Sequence, residues 1–326
     1  MSVARAVVVP ENGGPDVLRV EERAVPEPGP GELLIEVAAS GVNFVDVYRR
    51  QGVYRVPTPF VLGEECAGRV VSVGPDVADV AVGDVVATAA GGHGTHATIA
   101  VIDAANAVPV PPRLDPQLAA AAMLQGITAQ YLINSTYPVR SGETVLVHAA
   151  AGGVGQLLVQ LAKAKGARVI GTVGSAAKAD VARAVGADDV IRYDESDDVA
   201  AAVRELVPNG VDVVYDGVGK ATFDASLASL RRRGMLVLYG ASSGQVPPFD
   251  LQRLNPLGSL YVTRPTIAHY TAERDELLWR ARDVLDAVAD GSLRVEIGGR
   301  YGLDDAAQAY RDLEGRRTTG KLLIVP

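Results

Sequence analysis

Sulfur is scarce in this 326-residue chain, which has one cysteine, Cys66, and three methionines. A single thiol excludes an intramolecular disulfide and any metal centre built on several thiolates, and it reads as a reduced, cytoplasmic type of protein. Aromatic residues make up 5%, too few for a platform that stacks single-stranded nucleic acid. Positive charge is in deficit, with 31 Lys and Arg against 39 Asp and Glu for a net charge of −8. That balance disfavours a general binder of phosphate backbones, so no nucleic-acid partner is expected. Nowhere do 18 uninterrupted apolar residues occur, the run 118–124 being about the longest, so no membrane span is expected. No Gly-x-Ser-x-Gly elbow marks a nucleophile.

Only four histidines are present: His93, His96, His148 and His269. His93 and His96 have a tolerable metal spacing but no third ligand, and read as solvent-facing loop residues. No metal site is therefore expected. His148 reads as a hydrogen-bonded core residue, Glu64-Glu65-Cys66 as buried structural groups beside a turn, and Arg231-Arg232-Arg233 as a solvated helix end.

The rest of the composition, 48% apolar and 21% charged, is that of a globular protein, and the length suggests about two domains. Residues 1–124 are short apolar runs broken by Gly and Pro, such as Glu32-Leu33-Leu34-Ile35-Glu36-Val37 and Gly83-Asp84-Val85-Val86-Ala87-Thr88; they predict a mostly β domain. Residues 125–265 alternate strand and helix. Strands are expected at 144–148, 168–173, 189–191, 211–215 and 235–239, with helices near 154–162, 176–185, 198–206 and 220–230. That rhythm predicts a doubly wound parallel sheet of the Rossmann type. Residues 266–326 add a helix at 273–289 stopped by Gly291, a short helix at 304–314 and a lone apolar strand at 321–325. The strand needs a sheet to join, so one domain is expected to be built from both chain ends, 1–124 with 266–326.

Ala150-Ala151-Gly152-Gly153-Val154-Gly155 fits the dinucleotide fingerprint with Ala150, Gly152 and Gly155 at its three glycine positions. It follows a strand and opens an amphipathic helix whose first amides would take a pyrophosphate. The competing reading is a glycine-rich turn without a ligand. An NAD site wants a carboxylate about 20 residues further on. Here Thr172-Val173-Gly174-Ser175-Ala176-Ala177-Lys178 intervenes, with no carboxylate until Asp180. Gly174 and Ser175 can offer an amide and a hydroxyl, and Lys178 a charge, to a 2′-phosphate. NADPH is therefore expected over NADH, although Lys178 alone would read as a solvated helix-face residue.

Several motifs together resemble the medium-chain dehydrogenase/reductase superfamily, and within it the zinc-free quinone oxidoreductases related to zeta-crystallin. They are Ser40-Gly41-Val42-Asn43-Phe44-Val45-Asp46-Val47-Tyr48, Leu62-Gly63-Glu64-Glu65, the fingerprint, Tyr215-Asp216-Gly217-Val218-Gly219, Tyr239-Gly240-Ala241-Ser242-Ser243-Gly244 and Gly258-Ser259-Leu260-Tyr261-Val262-Thr263-Arg264-Pro265. The resemblance implies a mostly β GroES-like domain beside a Rossmann domain, and zinc-independent reduction of a quinone by NADPH, in one-electron or two-electron steps. The zinc alcohol dehydrogenases use cysteine where this chain has Asn43 and histidine where it has Glu64. The resemblance further implies that Asn43 and Tyr48 line the nicotinamide end of a cleft as the catalytic positioning residues. It places Thr128 and Val154 with Gly152 and Gly153 near the nicotinamide ribose and pyrophosphate. Gly174, Ser175, Lys178, Tyr193 and Arg316 would surround the 2′-phosphate, Gly217, Tyr239 and Gly240 the nicotinamide ribose, and Arg264 the rim. The reduced oxygen would take its proton from water or from Tyr48. The apolar segment 257–262 at the sheet edge, with the resemblance, implies a homodimer. The alternative enzyme is an NADPH-dependent enal or enone reductase, and the alternative of another class is a non-catalytic NADPH-binding or RNA-binding protein.

Overall fold

A computed structural model describes residues 3–89, 94–196 and 198–326. In chain order its elements are β1 (Val3–Val9), β2 (Arg19–Ala24), β3 (Glu32–Val42), α1 (Phe44–Arg50), β4 (Phe60–Val61), β5 (Glu65–Val73), β6 (Val85–Thr88), β7 (Ile99–Asp103), β8 (Val108–Pro109) and α2 (Pro116–Tyr131). There follow β9 (Thr144–Val147), α3 (Gly153–Ala164), β10 (Arg168–Val173), α4 (Ala176–Ala184), β11 (Asp189–Arg192), α5 (Val199–Leu206), β12 (Val211–Asp216), α6 (Phe223–Ser229), β13 (Leu230–Leu238) and β14 (Tyr261–Thr263). The last are α7 (Ile267–Tyr270), α8 (Arg274–Asp290), β15 (Ile297–Tyr301), α9 (Ala306–Glu314) and β16 (Lys321–Ile324). The chain divides into two units, Met1–Ile127 with Thr271–Pro326, and Thr128–Tyr270. The divisions fall a few residues beyond 124/125 and 265/266, where the sequence rhythm changes.

In the first unit β3 is mostly apolar, with Leu33, Ile35, Ala39 and Val42 almost wholly buried. It takes a central place in the sheet order β15-β16-β3-β5-β6-β8, and β7 also pairs with it. The terminal strand β16 runs antiparallel to β3, with Leu322, Leu323 and Ile324 opposite Val42, Gly41 and Ser40. A smaller sheet, β2-β1-β4, shares a core in which Val7 and Val9 meet Val42, Val47, Leu62, Tyr310 and Ile324.

The second unit is a parallel sheet in the order β11-β10-β9-β12-β13-β14. Strand order reverses between β9 and β12, the switch point of a doubly wound fold. Consecutive residues Val169, Ile170, Gly171, Thr172 and Val173 of β10 are all buried. Successive strand residues point to opposite faces, so both faces of this sheet are covered. Leu146, Ile170 and Val214 from the strands pack with Val203 of α5 and Phe223 and Leu227 of α6. The edge strand β14 pairs Tyr261 to Thr263 with Met235 to Val237 of β13.

Two local expectations need correction. Arg231, Arg232 and Arg233 do not end a helix: α6 stops at Ser229, where Leu230 turns extended, and the arginines lie in β13, where Arg231 Nε donates to Asp212 Oδ1 at 2.5 Å. His96 is not solvent-facing. It is fully buried, between Ser40 Oγ at 2.7 Å from Nδ1 and Tyr310 Oη at 2.7 Å from Nε2, and burial pushes its pKa down to about 3. His93 lies outside the described residues.

Candidate functional site

The fingerprint turn joins β9 to α3. Ala149 takes the left-handed conformation, φ 52°, which L-residues other than glycine seldom adopt. Its carbonyl accepts from Gly152 N at 2.8 Å, and Gln156 Nε2 braces the turn from below by donating to Ala151 O at 2.9 Å. Gly155 must be glycine, since a Cβ there would stand 2.2 Å from Ala149 O and 2.9 Å from Ala150 Cα. The departure at Ala150 has a steric explanation: its methyl occupies the room left by Gly171 on β10, where an added Cβ would come within 2.7 Å. Gly152 caps α3 in extended conformation, so Gly153 and Val154 begin a 12-residue helix. Its first amides have no partner within the helix and its dipole favours an anion.

Next to this turn, at the same ends of β10 and β11, the structure brings together Gly174, Ser175, Lys178 and Tyr193. Ser175 caps α4 by accepting from Lys178 N at 3.4 Å, which puts Lys178 in the first helical turn. The Tyr193 ring lies so close over Gly174 that an added Cβ would be 2.5 Å from its Oη. A third group follows β12 and β13. The Tyr239 ring covers Gly217, an added Cβ at Gly240 would be 2.5 Å from Gly217 O, and Tyr239 N donates to Asp216 O at 2.9 Å. These groups share the C-terminal edge of the sheet around its switch point, where α/β folds bind ligands. Arg264, exposed, follows the edge strand β14, donating to Pro265 O at 3.3 Å. Thr128 is buried on α2. The edge fits a phosphorylated dinucleotide. Helix amides face the turn, and at the end of β10 the place of a ribose-binding carboxylate is taken by a glycine, a capping serine and a lysine.

Asn43, Tyr48 and Arg316 belong to the other unit. Asn43 caps α1, its backbone N donating to Asp46 Oδ2 at 2.9 Å. Its side-chain amide is fully engaged inside the unit. Nδ2 donates to Gly41 O at 3.1 Å and Glu65 Oε2 at 2.9 Å, and Oδ1 accepts from Lys321 Nζ at 2.7 Å. Lys321 and Glu65 are themselves a fully buried ion pair, 2.5 Å apart, and Glu65 Oε1 also accepts from Leu124 N at 2.5 Å. Tyr48, five residues along α1, packs its ring edge-on against Tyr54 at 5.4 Å. Glu64 accepts from Arg49 Nη2 at 3.0 Å; burial pushes its carboxyl up to about 7 against the pull of that guanidinium. Burial likewise raises Asp46 to about 6. Arg316 lies in the turn after α9 with φ 55°. Among the described residues no group of three or more His, Cys, Asp or Glu is arranged to hold a metal.

Sequence reading missed Lys321 as a partner of Glu65, and it passed over Asp216 and the contacts of His148. Lys321 carried a faint signal, as a lone charge heading an apolar strand. Asp216 stood inside a quoted motif, but nothing in the spacing showed what it would bond.

Two family models match the chain: the alcohol dehydrogenase GroES-like domain over residues 29–112 and zinc-binding dehydrogenase over 153–278. A quinone oxidoreductase of Pseudomonas aeruginosa is 43% identical over 326 residues, covering 99% of this chain and 100% of that protein. A 2-haloacrylate reductase of a Burkholderia species is 40% identical, with 98% of each chain covered. A mycobacterial protein solved in complex with NADPH superimposes with a TM-score of 0.96 at 48% identity, over 99% of this chain and 100% of that one.

Proposed function

The chain belongs to the quinone oxidoreductase family of the medium-chain dehydrogenases and reductases, and on that premise we propose that it reduces quinones with NADPH and without zinc. The observation that carries the cofactor is the end of β10, where Ser175 caps α4 ahead of Lys178 and the Tyr193 ring closes over Gly174. Lys178, Ser175 and Tyr193, with Gly174 and Arg316, would hold the 2′-phosphate. Gly152, Gly153 and Val154 would hold the pyrophosphate on the α3 amides, and Thr128, Gly217, Tyr239, Gly240 and Arg264 would line the nicotinamide half. When bound, NADPH supplies the reducing equivalents. Tyr48 would orient the quinone through its phenol, and Asn43, with its amide fixed by Lys321 and Glu65, would hold the start of the helix that carries Tyr48. Independence from zinc is supported by the same contacts: Asn43 spends its amide on protein partners, and Glu64 is matched by Arg49.

The cofactor assignment is tested by Lys178→Ala. A hydrogen bond to a charged group is worth about 1.5–3 kcal/mol, so NADPH should bind at least about tenfold more weakly and NADH unchanged. Equal losses for both, measured by fluorescence titration, would remove the phosphate assignment. A second reading, reduction of a conjugated alkene, is favoured by the likeness to the 2-haloacrylate reductase. Parallel assays of NADPH consumption with 9,10-phenanthrenequinone, benzoquinones and 2-alkenals decide between them, and a preference for 2-alkenals would displace the quinone reading.

We propose a twofold dimer through β14, an edge strand whose Tyr261 is 56% exposed and which follows the exposed Leu257. A monomer mass by light scattering would remove it. We place the protein in the cytoplasm because its one cysteine, Cys66, leaves it no intramolecular disulfide, the cysteine usage of a reducing compartment. Cell fractionation tests this, and recovery from a secreted fraction would reject it. Among the described residues no helix is long and apolar enough to cross a membrane.

A further inference from the structure

His148 and Asp216 have no role in the cofactor contacts assigned above, yet each stands one residue ahead of a loop that does. His148, directly after β9, precedes the fingerprint turn, and Asp216, the last residue of β12, precedes Gly217; these two strands flank the switch point. Both are buried, with 1% and 0% exposure, and their hydrogen bonds join into one chain. Thr172 Oγ1 on β10 lies 2.9 Å from His148 Nδ1, and His148 Nε2 lies 3.0 Å from Ser226 Oγ on α6. Ser226 Oγ donates to Asp216 Oδ2 at 2.8 Å. The other carboxylate oxygen accepts from Val218 N at 2.8 Å and Gly219 N at 2.9 Å, and the Thr222 hydroxyl lies 2.7 Å from Oδ2.

These roles fix every proton in the chain. A carboxylate only accepts, so Ser226 must donate to it and accept from His148. His148 therefore carries its proton on Nε2, and Nδ1 accepts from Thr172. Burial lowers the His148 pKa and keeps the ring neutral, consistent with one donor and one acceptor nitrogen. A buried carboxylate is costly unless fully hydrogen-bonded. This one accepts from both amides of the loop after β12 on one oxygen, while the far end of the chain ties β10 and the residue ahead of the fingerprint turn into the same set.

We propose that Thr172, His148, Ser226 and Asp216 form a positioning relay that holds the fingerprint turn and the 217–219 loop in one fixed register for the nicotinamide half of the cofactor. The inference rests on the NADPH reading and goes beyond it by separating the two halves of the dinucleotide. The adenosine 2′-phosphate half, held at the end of β10 and by α4, is independent of the relay. The nicotinamide half depends on it.

The test compares NADPH with adenosine 2′-monophosphate, which carries the 2′-phosphate but no 5′-phosphate to meet the fingerprint turn, by titration on wild type, Asp216→Ala, Asp216→Asn and Ser226→Ala. Asp216→Ala removes the acceptor of the two loop amides and should weaken NADPH by about tenfold, with adenosine 2′-monophosphate unchanged and the hydride step slowed in single-turnover assays. Asp216→Asn should restore NADPH binding, because its carbonyl oxygen still serves Val218 and Gly219. Its NH2 must then donate to Ser226, Ser226 to His148 Nε2, and the imidazole proton must move to Nδ1 and donate to Thr172. Imidazole 15N spectra read that tautomer directly. If Asp216→Ala does not fold, Ser226→Ala, which breaks the relay at its middle, should show the same selective loss of NADPH. A folded Asp216→Ala or Ser226→Ala protein with the wild-type ratio of the two affinities overturns the relay alone. Wild-type protein that takes up neither compound overturns the NADPH reading beneath it.

Discussion

In the unit built from both chain ends, Glu65 is met by the Lys321 ammonium, and both side chains are completely buried. In the Thr128–Tyr270 unit Asp216, buried as deeply, is met by two loop amides and two hydroxyls. The first arrangement balances charge with charge and locks three remote segments: β5, β16 and the start of α1. The second spreads one negative charge over neutral dipoles and passes the constraint to loops at the ligand-binding edge. An ion pair out of water is unforgiving when one partner is lost, whereas a set of shared hydrogen bonds can re-aim its hydroxyls. The lesson is that the same burial serves rigidity in one unit and alignment in the other.

The strongest way to break this comparison is Lys321→Met. Leaving Glu65 buried and unpaired should cost about 3–5 kcal/mol in denaturant unfolding, and adding Glu65→Gln should recover most of it. A loss below about 1 kcal/mol would show that the pair is not the lock described. A smaller effect comes from Asp46→Asn. Burial raises Asp46 from 3.8 to about 6, so between those pH values the folded protein holds a proton that the unfolded chain has released. Wild-type stability from this group therefore falls as pH rises through that window and is level above it. Asp46→Asn should match wild type near pH 3.8 and gain on it up to about pH 6, by on the order of 2–3 kcal/mol. Comparing the two proteins isolates Asp46 from His96, whose depressed pKa gives a slope of opposite sign. An advantage that does not change with pH would reject the assignment. The smallest change is Thr172→Val, which leaves His148 Nδ1 without its donor and should cost about 1 kcal/mol. A loss as large as that of Lys321→Met would put the two units on the same footing.

The β9–turn–α3 segment was legible in the sequence because its causes are local. Glycines at 152 and 155, a buried strand before them and an apolar helical period after them all lie within about 20 residues. The alternation of strands and helices over 125–265 was legible for the same reason, and so was the start of α4 at Ala176. The buried networks were not. Lys321 and Glu65 are 256 residues apart, and His96 and Tyr310 are 214 apart. No window of sequence shows that such residues meet, so His96 looked like a loop residue in solvent. Arg231 to Arg233 failed differently. The run reads as the end of a helix, whereas the three arginines fall in the irregularity between the Val211–Leu230 and Val213–Met235 pairs of β12 and β13, with Arg232 and Arg233 exposed.

Strand β16 has a consequence for how the protein is made. It sits between β15 and β3 and brings the Lys321 ammonium to Glu65, yet it leaves the ribosome after the whole of Thr128–Tyr270. During synthesis the Glu65 carboxylate and the open side of β3 must therefore wait until Lys321–Ile324 have been made, while the strands of the middle portion have emerged together. The order of emergence favours the middle folding first, as domains generally fold as units, with the sheet around β3 completed after it.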